Sequence, residues 1–407
     1  MIRRAAAHGR LSLRARLFGW LMRRTVRAQL SRATDPTLAR ARFVRTVRWC
    51  VPDPPGALFL RDVPGGVGAL WASVPACDAP LGPDGAPAGV GAGVRQGSDS
   101  AAPGAGHAPA GSGQPERGEA GRGPVAARPP GTGARADGGG RGGGGASRAG
   151  GVGPRRSLAA QGAWAAAPRV ILYLHGGAFV MGSPRTHRAL AARLAASAGM
   201  RALLPRYRRA PEHPFPAALE DAMAVYAALL ERGYPAGRIA LAGDSAGGGI
   251  ALALAAEIGR MGWPAPAAVV AFSPVVDLTF SGRSWKINRD RDRLLPPERA
   301  GDVAAMWLQG ADPRDPRASP LLAEWRATPP PALLFAAETE LLRDDAVRMA
   351  ARLRAAGGWA EARIGGDLPH VWPFLCPWLP EACATIAEAG RFLDATVGVS
   401  RGGASPR

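Results

Sequence analysis

Short apolar runs alternate with helix-like stretches over the second half of the chain. The runs are uninterrupted and four or five residues long, which is typical of strands buried on both faces of a parallel sheet. They occupy residues 170–174, 239–242, 269–272 and 333–337. Stretches with helical spacing of apolar residues lie between or after them, at 187–198, 217–232, 248–260 and 345–356. The alternation predicts a mainly parallel, doubly wound α/β domain over residues 165–397.

The N-terminal part has a different pattern. Residues 10–48 alternate arginines with leucines and valines at a spacing compatible with basic amphipathic helices. Such a helix covers part of the protein's own core, which is the commoner arrangement, or lies on a membrane surface. We expect residues 1–50 to form a helical cap segment and residues 51–76 to supply early strands. Further cap helices are expected near residues 278–310.

Residues 77–164 follow neither pattern. This stretch is rich in Gly, Ala, Pro, Ser and Arg, and no Phe, Trp or Tyr occurs between Trp71 and Trp164. A segment without large apolar groups cannot offset the entropy of ordering its backbone, so we expect a long disordered insertion. Its Arg-Gly character suggests RNA contact, but the aromatic side chains that stack on bases are missing. A passive insertion is the favoured interpretation.

Composition adds two exclusions. Gly 55 and Pro 39 make up about 23% of the 407 residues, yet residues of the AVILMFWYC set reach 47%, so a core coexists with the loose segment. Disorder of the whole chain is therefore excluded. No apolar run approaches the ~20 residues of an ordinary transmembrane helix. We expect a soluble protein, or one that is at most bound to a membrane surface.

The net charge of +19 raises the question of a nucleic acid or an anionic membrane as partner. Lys286 is the single lysine, and the arginines are spread through helices, turns and the loose segment alike. Such a spread indicates a bias acting on the whole sequence rather than a binding patch. We predict no nucleic-acid partner and leave open a weak membrane-surface contact through the N-terminal basic helix.

The cysteines and the N-terminus bear on the compartment. Cys50, Cys77, Cys376 and Cys383 form no C-x-x-C pair, and no His stands at zinc-finger spacing, so neither a metal site nor a redox motif is indicated. A reducing compartment fits this pattern. The N-terminus has arginines and a short apolar patch but no small-residue cleavage site, so it is a poor secretory signal. We expect a cytoplasmic protein.

The strongest chemical signal is the stretch Gly-Asp-Ser-Ala-Gly at residues 243–247, between an apolar run and an Ala/Leu-rich helix. A serine hydroxyl is a weak nucleophile, and a sharp strand-to-helix turn with small neighbours exposes it. Ser245 is the predicted nucleophile. The helix that begins after Ser245 offers the backbone N–H of Ala246 to a developing oxyanion.

A second supply of donors follows the run at 170–174. In the stretch His-Gly-Gly-Ala-Phe at residues 175–179, small residues let the main chain approach a substrate. Gly177 and Ala178 are the predicted donors of an oxyanion hole, together with Ala246. A simple strand-ending turn, with His175 structural, is the alternative.

The general base follows from chain order. If nucleophile, acid and histidine come in that order, His370 is the only histidine after Ser245 and is the predicted base. The orienting acid is expected directly after the run at 333–337, where four carboxylates stand: Glu338, Glu340, Asp344 and Asp345. The two aspartates open a helix, where acids are stabilised whatever the function. Of the two glutamates we choose Glu340.

Together these motifs resemble the hormone-sensitive-lipase-like family of α/β-hydrolases. The resemblance rests on HGGAF from His175, YRRAPEHPFPAA from Tyr207, GDSAGG from Gly243 and PHVW from Pro369, and it covers about residues 165–395. It implies an α/β-hydrolase fold with a helical cap, to which the N-terminal basic helices are similar. It also implies that His175 opens the oxyanion-hole motif, that Ser245 is the nucleophile, that His370 is the base, and that Glu340 stands at the acid position of an acid-x-L-x-[DE] stretch.

The chain departs from the family's pattern in three places. Ala178 stands where the commonest motif has a third glycine. The alanine keeps the backbone N–H but allows a smaller range of backbone angles than glycine would. The acid is Glu where Asp is frequent. The insertion at residues 77–164 is not a family feature.

These residues predict a serine carboxylesterase or lipase that needs no metal or organic cofactor. Its partner is a small-molecule ester, and short or medium acyl chains are what the resemblance implies. An amidase or acyltransferase would use the same triad. A small-molecule-binding protein on a hydrolase scaffold is the alternative outside enzymes, and the filled catalytic positions argue against it. The sequence does not indicate the oligomeric state.

Overall fold

The computed structural model of this protein describes residues 2–4, 11–32, 35–74 and 169–398. The predicted insertion at residues 77–164 lies outside them. In the described part of the chain nine strands form one sheet. In chain order, β1 to β9 are Ile2–Arg4, Leu58–Asp62, Ala69–Ser73, Val170–Leu174, Arg201–Pro205, Ile239–Asp244, Ala268–Phe272, Ala332–Ala337 and Ala360–Gly365.

The strands lie side by side in the order β1-β9-β8-β7-β6-β4-β5-β3-β2. β3 pairs antiparallel with both β2 and β5, and every other pair is parallel. The prediction of a mainly parallel sheet is confirmed. Because parallel strands end at the same edge, the segments that follow β4, β6, β7 and β8 meet there, where open α/β sheets place their chemistry.

Ten α-helices accompany the strands in the described residues. They are α1 Leu13–Met22, α2 Ala28–Arg32, α3 Pro36–Cys50, α4 Pro184–Ser197, α5 Ala217–Glu231, α6 Ser245–Arg260, α7 Ser284–Ile287, α8 Ala300–Leu308, α9 Arg343–Ala355 and α10 Pro380–Thr396. The four helices predicted in the second half correspond to α4, α5, α6 and α9. Each predicted start lies between zero and three residues after the observed start. α4 shows why: Ser183 forms a capping box with Thr186, and Pro184 occupies the first turn, so the helix begins before its apolar stripe.

Alternate side chains of the central strands enter two separate cores. On β6, Ile239 and Leu241 pack in the core that contains α5, α6 and α9, whereas Ala240 and Ala242 pack in the core that contains α4 and α10. Both faces of the sheet are therefore covered by helices, which is why these strands read as continuous apolar runs.

Three strands are not predicted from the sequence: β1 lies in the segment expected to be a helical cap, and β5 and β9 lie outside the predicted apolar runs. β9 alternates instead: Ala360 and Ala362 are buried in the core, whereas Arg363 forms an ion pair with Glu388 at 2.6 Å. In β5 an arginine and a proline flank only three apolar residues. Neither segment has the uninterrupted run on which the prediction depends.

The predicted cap segments contain helices. α1 to α3 lie within residues 1–50, and α7 and α8 lie near residues 278–310. The early strands expected at residues 51–76 correspond to β2 and β3. No helix among the described residues is long and apolar enough to cross a membrane.

Candidate active site

Ser245 stands at the sharp turn between β6 and α6. Its φ of 53° lies in the left-handed region, which a non-glycine residue adopts at a cost. A Cβ placed on Gly247 would lie 2.1 Å from the backbone oxygen of Leu174. Only glycine lets α6 begin this close to the end of β4, so the small residues around Ser245 make the turn possible.

His370 contacts both Ser245 and Glu340. Its Nε2 lies 2.9 Å from Ser245 Oγ, and its Nδ1 lies 2.9 Å from Glu340 Oε2. All three side chains are buried. With Glu340 ionised, Nδ1–H donates to the carboxylate and Nε2 is left to accept the hydroxyl proton of Ser245. The three residues named from the sequence are thus brought together, although 125 positions separate the first from the last.

Glu340 is held in place by further hydrogen bonds. Its Oε1 accepts from Ser273 Oγ and from the Ala337 N–H, each at 2.8 Å. The Asn288 side-chain amide donates to the backbone oxygens of Glu340 at 2.7 Å and Glu338 at 2.9 Å. These contacts fix both the carboxylate and the loop that carries it.

The other three candidate acids face elsewhere. The side chain of Glu338 is exposed. Asp344 accepts a hydrogen bond from the Ser284 N–H, and Asp345 accepts one from the Val276 N–H, each at 2.9 Å. Burial raises the pKa of Asp345 to about 8. Of the four acids, Glu340 is the one that contacts His370 in the described structure.

Electrostatics favour the charged form of His370. Burial by itself lowers the pKa of the imidazole, but the hydrogen bond and the negative charge of Glu340 outweigh it, and the pKa lies above the ordinary value of 6.5. Burial also raises the pKa of Glu340, against the opposing effect of His370. The arrangement stabilises an imidazolium, which is the form that a general base reaches when it takes a proton.

The predicted oxyanion donors lie in a turn after β4 and at the start of α6. Ala178 adopts a φ of 55°, so the alanine takes the left-handed conformation that glycine would adopt more readily. Among the described residues, neither the Gly177 N–H nor the Ala178 N–H has a hydrogen-bond acceptor. Ala246 lies in the first turn of α6, where N–H groups lack partners within the helix. All three donors are therefore available to an anion.

Asp244, the residue before Ser245, joins the two turns. Its Oδ1 accepts from the Gly176 N–H at 3.0 Å and from the Tyr173 hydroxyl at 2.9 Å, and its Oδ2 lies 3.4 Å from His187 Nε2. Burial would raise the pKa of Asp244, but the charge and hydrogen bond of His187 outweigh it, and the pKa is lowered. A buried carboxylate thus connects the turn at Ser245, here called the nucleophile turn, to the turn at residues 175–179, here called the oxyanion turn.

His175 is a packing residue in this geometry. Its ring stacks on Tyr207 with centroids 4.1 Å apart, and Nδ1 lies 3.1 Å from the Tyr207 hydroxyl. Burial, together with the nearby His187, lowers the pKa of His175 to about 3. The ring is neutral at physiological pH and supports the turn that carries Gly177 and Ala178.

The second predicted cap region, near residues 278–310, contacts the oxyanion turn through Trp307 of α8. The Trp307 ring stacks on Phe179 with centroids 3.8 Å apart and meets Phe215 edge-on at 5.2 Å. Trp285, in the same region, packs against Phe280. Trp307 therefore fixes the residue that follows the proposed donor Ala178.

Sequence reasoning missed several residues of the site. Ser273 directly follows β7 at the chemical edge of the sheet, and this position is a signal that the sequence offers. Asp244 lies inside the Gly-Asp-Ser-Ala-Gly stretch itself. Asn288 and His187 carry no local signal, since each acts through a contact made far along the chain.

The structure also contains a disulfide that the cysteine spacing did not predict. Cys376 and Cys383 form a disulfide across a separation of seven residues, at the start of α10. Disulfides are rare in reducing compartments. This bond weighs against the reducing compartment that the spacing indicates, and the compartment stays a prediction. Within the described residues no three His, Cys, Asp or Glu side chains are grouped to hold a metal ion.

Comparison with known proteins adds a family match. The sequence model of a protein family described as alpha/beta hydrolase fold matches residues 171–374. This stretch contains Ser245, Glu340 and His370. An acetyl-hydrolase of Streptomyces hygroscopicus is 42% identical over 230 residues, which are 56% of this chain and 77% of that protein. The carboxylesterase/phospholipase LipF of Mycobacterium tuberculosis is 38% identical over 237 residues, which are 56% of this chain and 63% of that protein.

Solved structures are similar over most of their length. An esterase from the bacterial hormone-sensitive lipase family superposes with a TM-score of 0.69 at 30% identity, and the match covers 95% of this chain and 99% of that one.

Proposed function

This chain belongs to the α/β-hydrolase family, among its hormone-sensitive-lipase-like esterases, and from that premise we propose that Ser245, His370 and Glu340 carry out its ester hydrolysis. The protein is a hydrolase of the esterase/lipase type. The observation that carries the residue assignment is the pair of 2.9 Å contacts that His370 makes, one with Ser245 and one with Glu340.

In the first half of the reaction, His370 Nε2 takes the hydroxyl proton of Ser245 as Oγ attacks the ester carbonyl carbon. The resulting imidazolium gives this proton to the leaving alcohol oxygen, and an acyl-enzyme remains. Water then attacks the acyl carbon while His370 again acts as base, and release of the carboxylic acid restores Ser245. Glu340 stays ionised and holds the imidazole in the required tautomer.

The backbone N–H groups of Gly177, Ala178 and Ala246 bind the oxyanion of each tetrahedral intermediate. Donors fixed on a turn and at a helix start require little reorganisation when charge develops, and removing one such donor costs about 10²–10³-fold in kcat. Within the described residues the N–H groups of Gly177 and Ala178 have no hydrogen-bond acceptor, which supports this role.

Short or medium acyl esters are the proposed substrates. The Streptomyces relative is an acetyl-hydrolase, which supports a small acyl group here. Phe179 follows the proposed donor Ala178 and stacks on Trp307, so two bulky rings lie beside the oxyanion turn. Amide hydrolysis and acyl transfer share the triad, and no observation on this chain favours either.

The test is a series of p-nitrophenyl esters of increasing acyl length. Wild type is expected to turn over the short members, and Ser245→Ala to lose at least 10³-fold in kcat. Ser197→Ala is the matched control, because this serine is exposed at the end of α4. Turnover that survives Ser245→Ala would remove the assignment. Wild-type binding without turnover would favour a binding protein on a hydrolase scaffold.

A further inference from the structure

Helix α1 exposes large apolar side chains to solvent. Leu13, Leu17, Trp20 and Leu21 are 80%, 63%, 49% and 45% exposed. Their spacing of three and four residues places them on one face of the helix, where they form a stripe, here called the outer stripe. Surface apolar residues scattered singly need no explanation, but a row on one helix marks an interaction surface.

The opposite face of α1 is already used for packing. Ala15 and Gly19 are buried, and Leu11, Phe18 and Met22 pack against the core that contains α10. α1 therefore covers the protein's own core with one face, as the commoner interpretation of its sequence expects. The outer stripe points away from this contact and plays no part in it.

Arginines flank the outer stripe. Arg14, Arg16, Arg23 and Arg24 are exposed, and the guanidinium of Arg24 lies over the Trp20 ring at 4.8 Å. Residues 11–32 contain no Asp or Glu. On the 100° helical spacing, Arg14 and Arg16 fall on opposite sides of the stripe.

Acidic partners of this segment contact it away from the stripe. Glu381 accepts hydrogen bonds from the Ser12 N–H at 2.7 Å and the Ser12 hydroxyl at 3.0 Å, on the packed side. Glu298 accepts one from Ser31 at 2.8 Å, beyond the end of α1. In the described part of the chain no carboxylate contacts the four flanking arginines, so the stripe combines apolar side chains with positive charge.

We propose that the outer stripe of α1 docks on an anionic lipid surface. Leucine and tryptophan would enter the boundary between headgroups and acyl chains, while the flanking arginines meet the lipid phosphates, as in helices that lie in a membrane interface. A protein partner or a second copy would have to supply acidic groups on both sides of an apolar groove. An anionic membrane supplies this combination by its nature.

Docking through α1 would also bring the loop that carries His370 close to the lipid surface. A Cβ placed on Gly19 would lie 3.4 Å from the Arg293 side chain, and Arg293 Nε donates to Asp367 at 2.9 Å. Asp367 precedes His370 by three residues. The helix that meets the lipid therefore packs beside the loop that carries the proposed base.

The test is sedimentation with vesicles, in a Ser245→Ala background so that no lipid is consumed. Binding is expected to vesicles of phosphatidylcholine mixed with phosphatidylglycerol, and to weaken with added salt. Leu17→Gln/Trp20→Gln is expected to weaken it by roughly tenfold or more. Each of Arg14→Gln and Arg16→Gln is expected to weaken it about fivefold. Leu60→Gln is the matched control, because Leu60 is 66% exposed on β2.

Three results would overturn the proposal. One is wild-type sedimentation that is no greater with anionic vesicles than without vesicles. Another is binding that Leu17→Gln/Trp20→Gln leaves unchanged. The third is a dimer, detected by light scattering, that the same double substitution converts to a monomer, because the stripe would then join two copies. None of these readouts depends on ester turnover, so the catalytic proposal stands or falls separately.

Discussion

The Gly176 N–H donates a 3.0 Å hydrogen bond to Asp244 Oδ1, so the residue before the proposed nucleophile holds the oxyanion turn in place. The approach is close: a Cβ on Gly176 would lie 2.0 Å from Asp244 Oδ2. The relative position of attacking oxygen and oxyanion donors is therefore set by a contact that tolerates no side chain at Gly176.

We expect Gly176→Ala to lower kcat by roughly 10²-fold, because displacement of catalytic groups by about 1 Å has an effect of this size. The measurement is steady-state kinetics on a short p-nitrophenyl ester, alongside thermal unfolding. Gly237→Ala is the control, since a Cβ there meets nothing within 4 Å. If both variants turn over substrate like wild type, the contact does not position the oxyanion turn.

Glu340→Gln is expected to lower kcat by roughly 10²–10⁴-fold, because an amide can present its N–H₂ to Nδ1 and favour the wrong imidazole tautomer. Glu338→Gln, a change at an exposed position two residues away, is expected to leave kcat unchanged. The same ester assay measures both. A loss in Glu338→Gln, with Glu340→Gln active, would transfer the role to the neighbour.

The pH dependence follows from the raised pKa of His370. Only the neutral imidazole can accept the proton of Ser245, so kcat/KM is expected to fall as the pH drops through an apparent pKa above 6.5. Removing the charge in Glu340→Gln removes the main cause of the rise, so the residual activity should lose its acid limb at a lower pH. A limb that stays in place, or moves to higher pH, would contradict the coupling.

Much of the fold and site can be predicted from the sequence because the relevant signals are local. β4, β6, β7 and β8 are continuous apolar runs, and a serine between small residues directly after β6 marks the turn. His370 follows from chain order. β9 is not predicted, because its residues alternate between a buried apolar face and a face that carries charged side chains.

The residues around the acid are harder to predict. Ser273 reaches Glu340 across 67 positions and Asn288 across 52, so no spacing rule indicates either contact. Asp244 belongs to a recognisable motif, but the sequence does not indicate its contact with Gly176. Only the folded structure shows that a Cβ on Gly176 would lie 2.0 Å from Asp244 Oδ2.

The Cys376–Cys383 disulfide was hidden for a related reason, because a separation of seven residues matches no redox or metal motif. We expect the double variant Cys376→Ser/Cys383→Ser to lose about 2 kcal/mol of unfolding free energy relative to the oxidised protein. Denaturant unfolding with and without reductant measures this. Equal stability of the oxidised and the reduced protein would show that the bond contributes nothing.

The same pair of cysteines tests the compartment. Alkylation of the protein in cells shows whether the pair is reduced, and a reduced pair agrees with the predicted cytoplasm.

The central claim is that Ser245 is a nucleophile activated by His370. Its most direct measurement is reaction with a serine-reactive p-nitrophenyl phosphonate, in which p-nitrophenolate leaves as the phosphorus–Oγ bond forms, followed by peptide mass spectrometry. We expect one adduct per chain, on Ser245, forming at a rate that His370→Ala reduces by at least 10²-fold. Labelling at another residue, or labelling of Ser245 at the same rate without His370, would contradict the account.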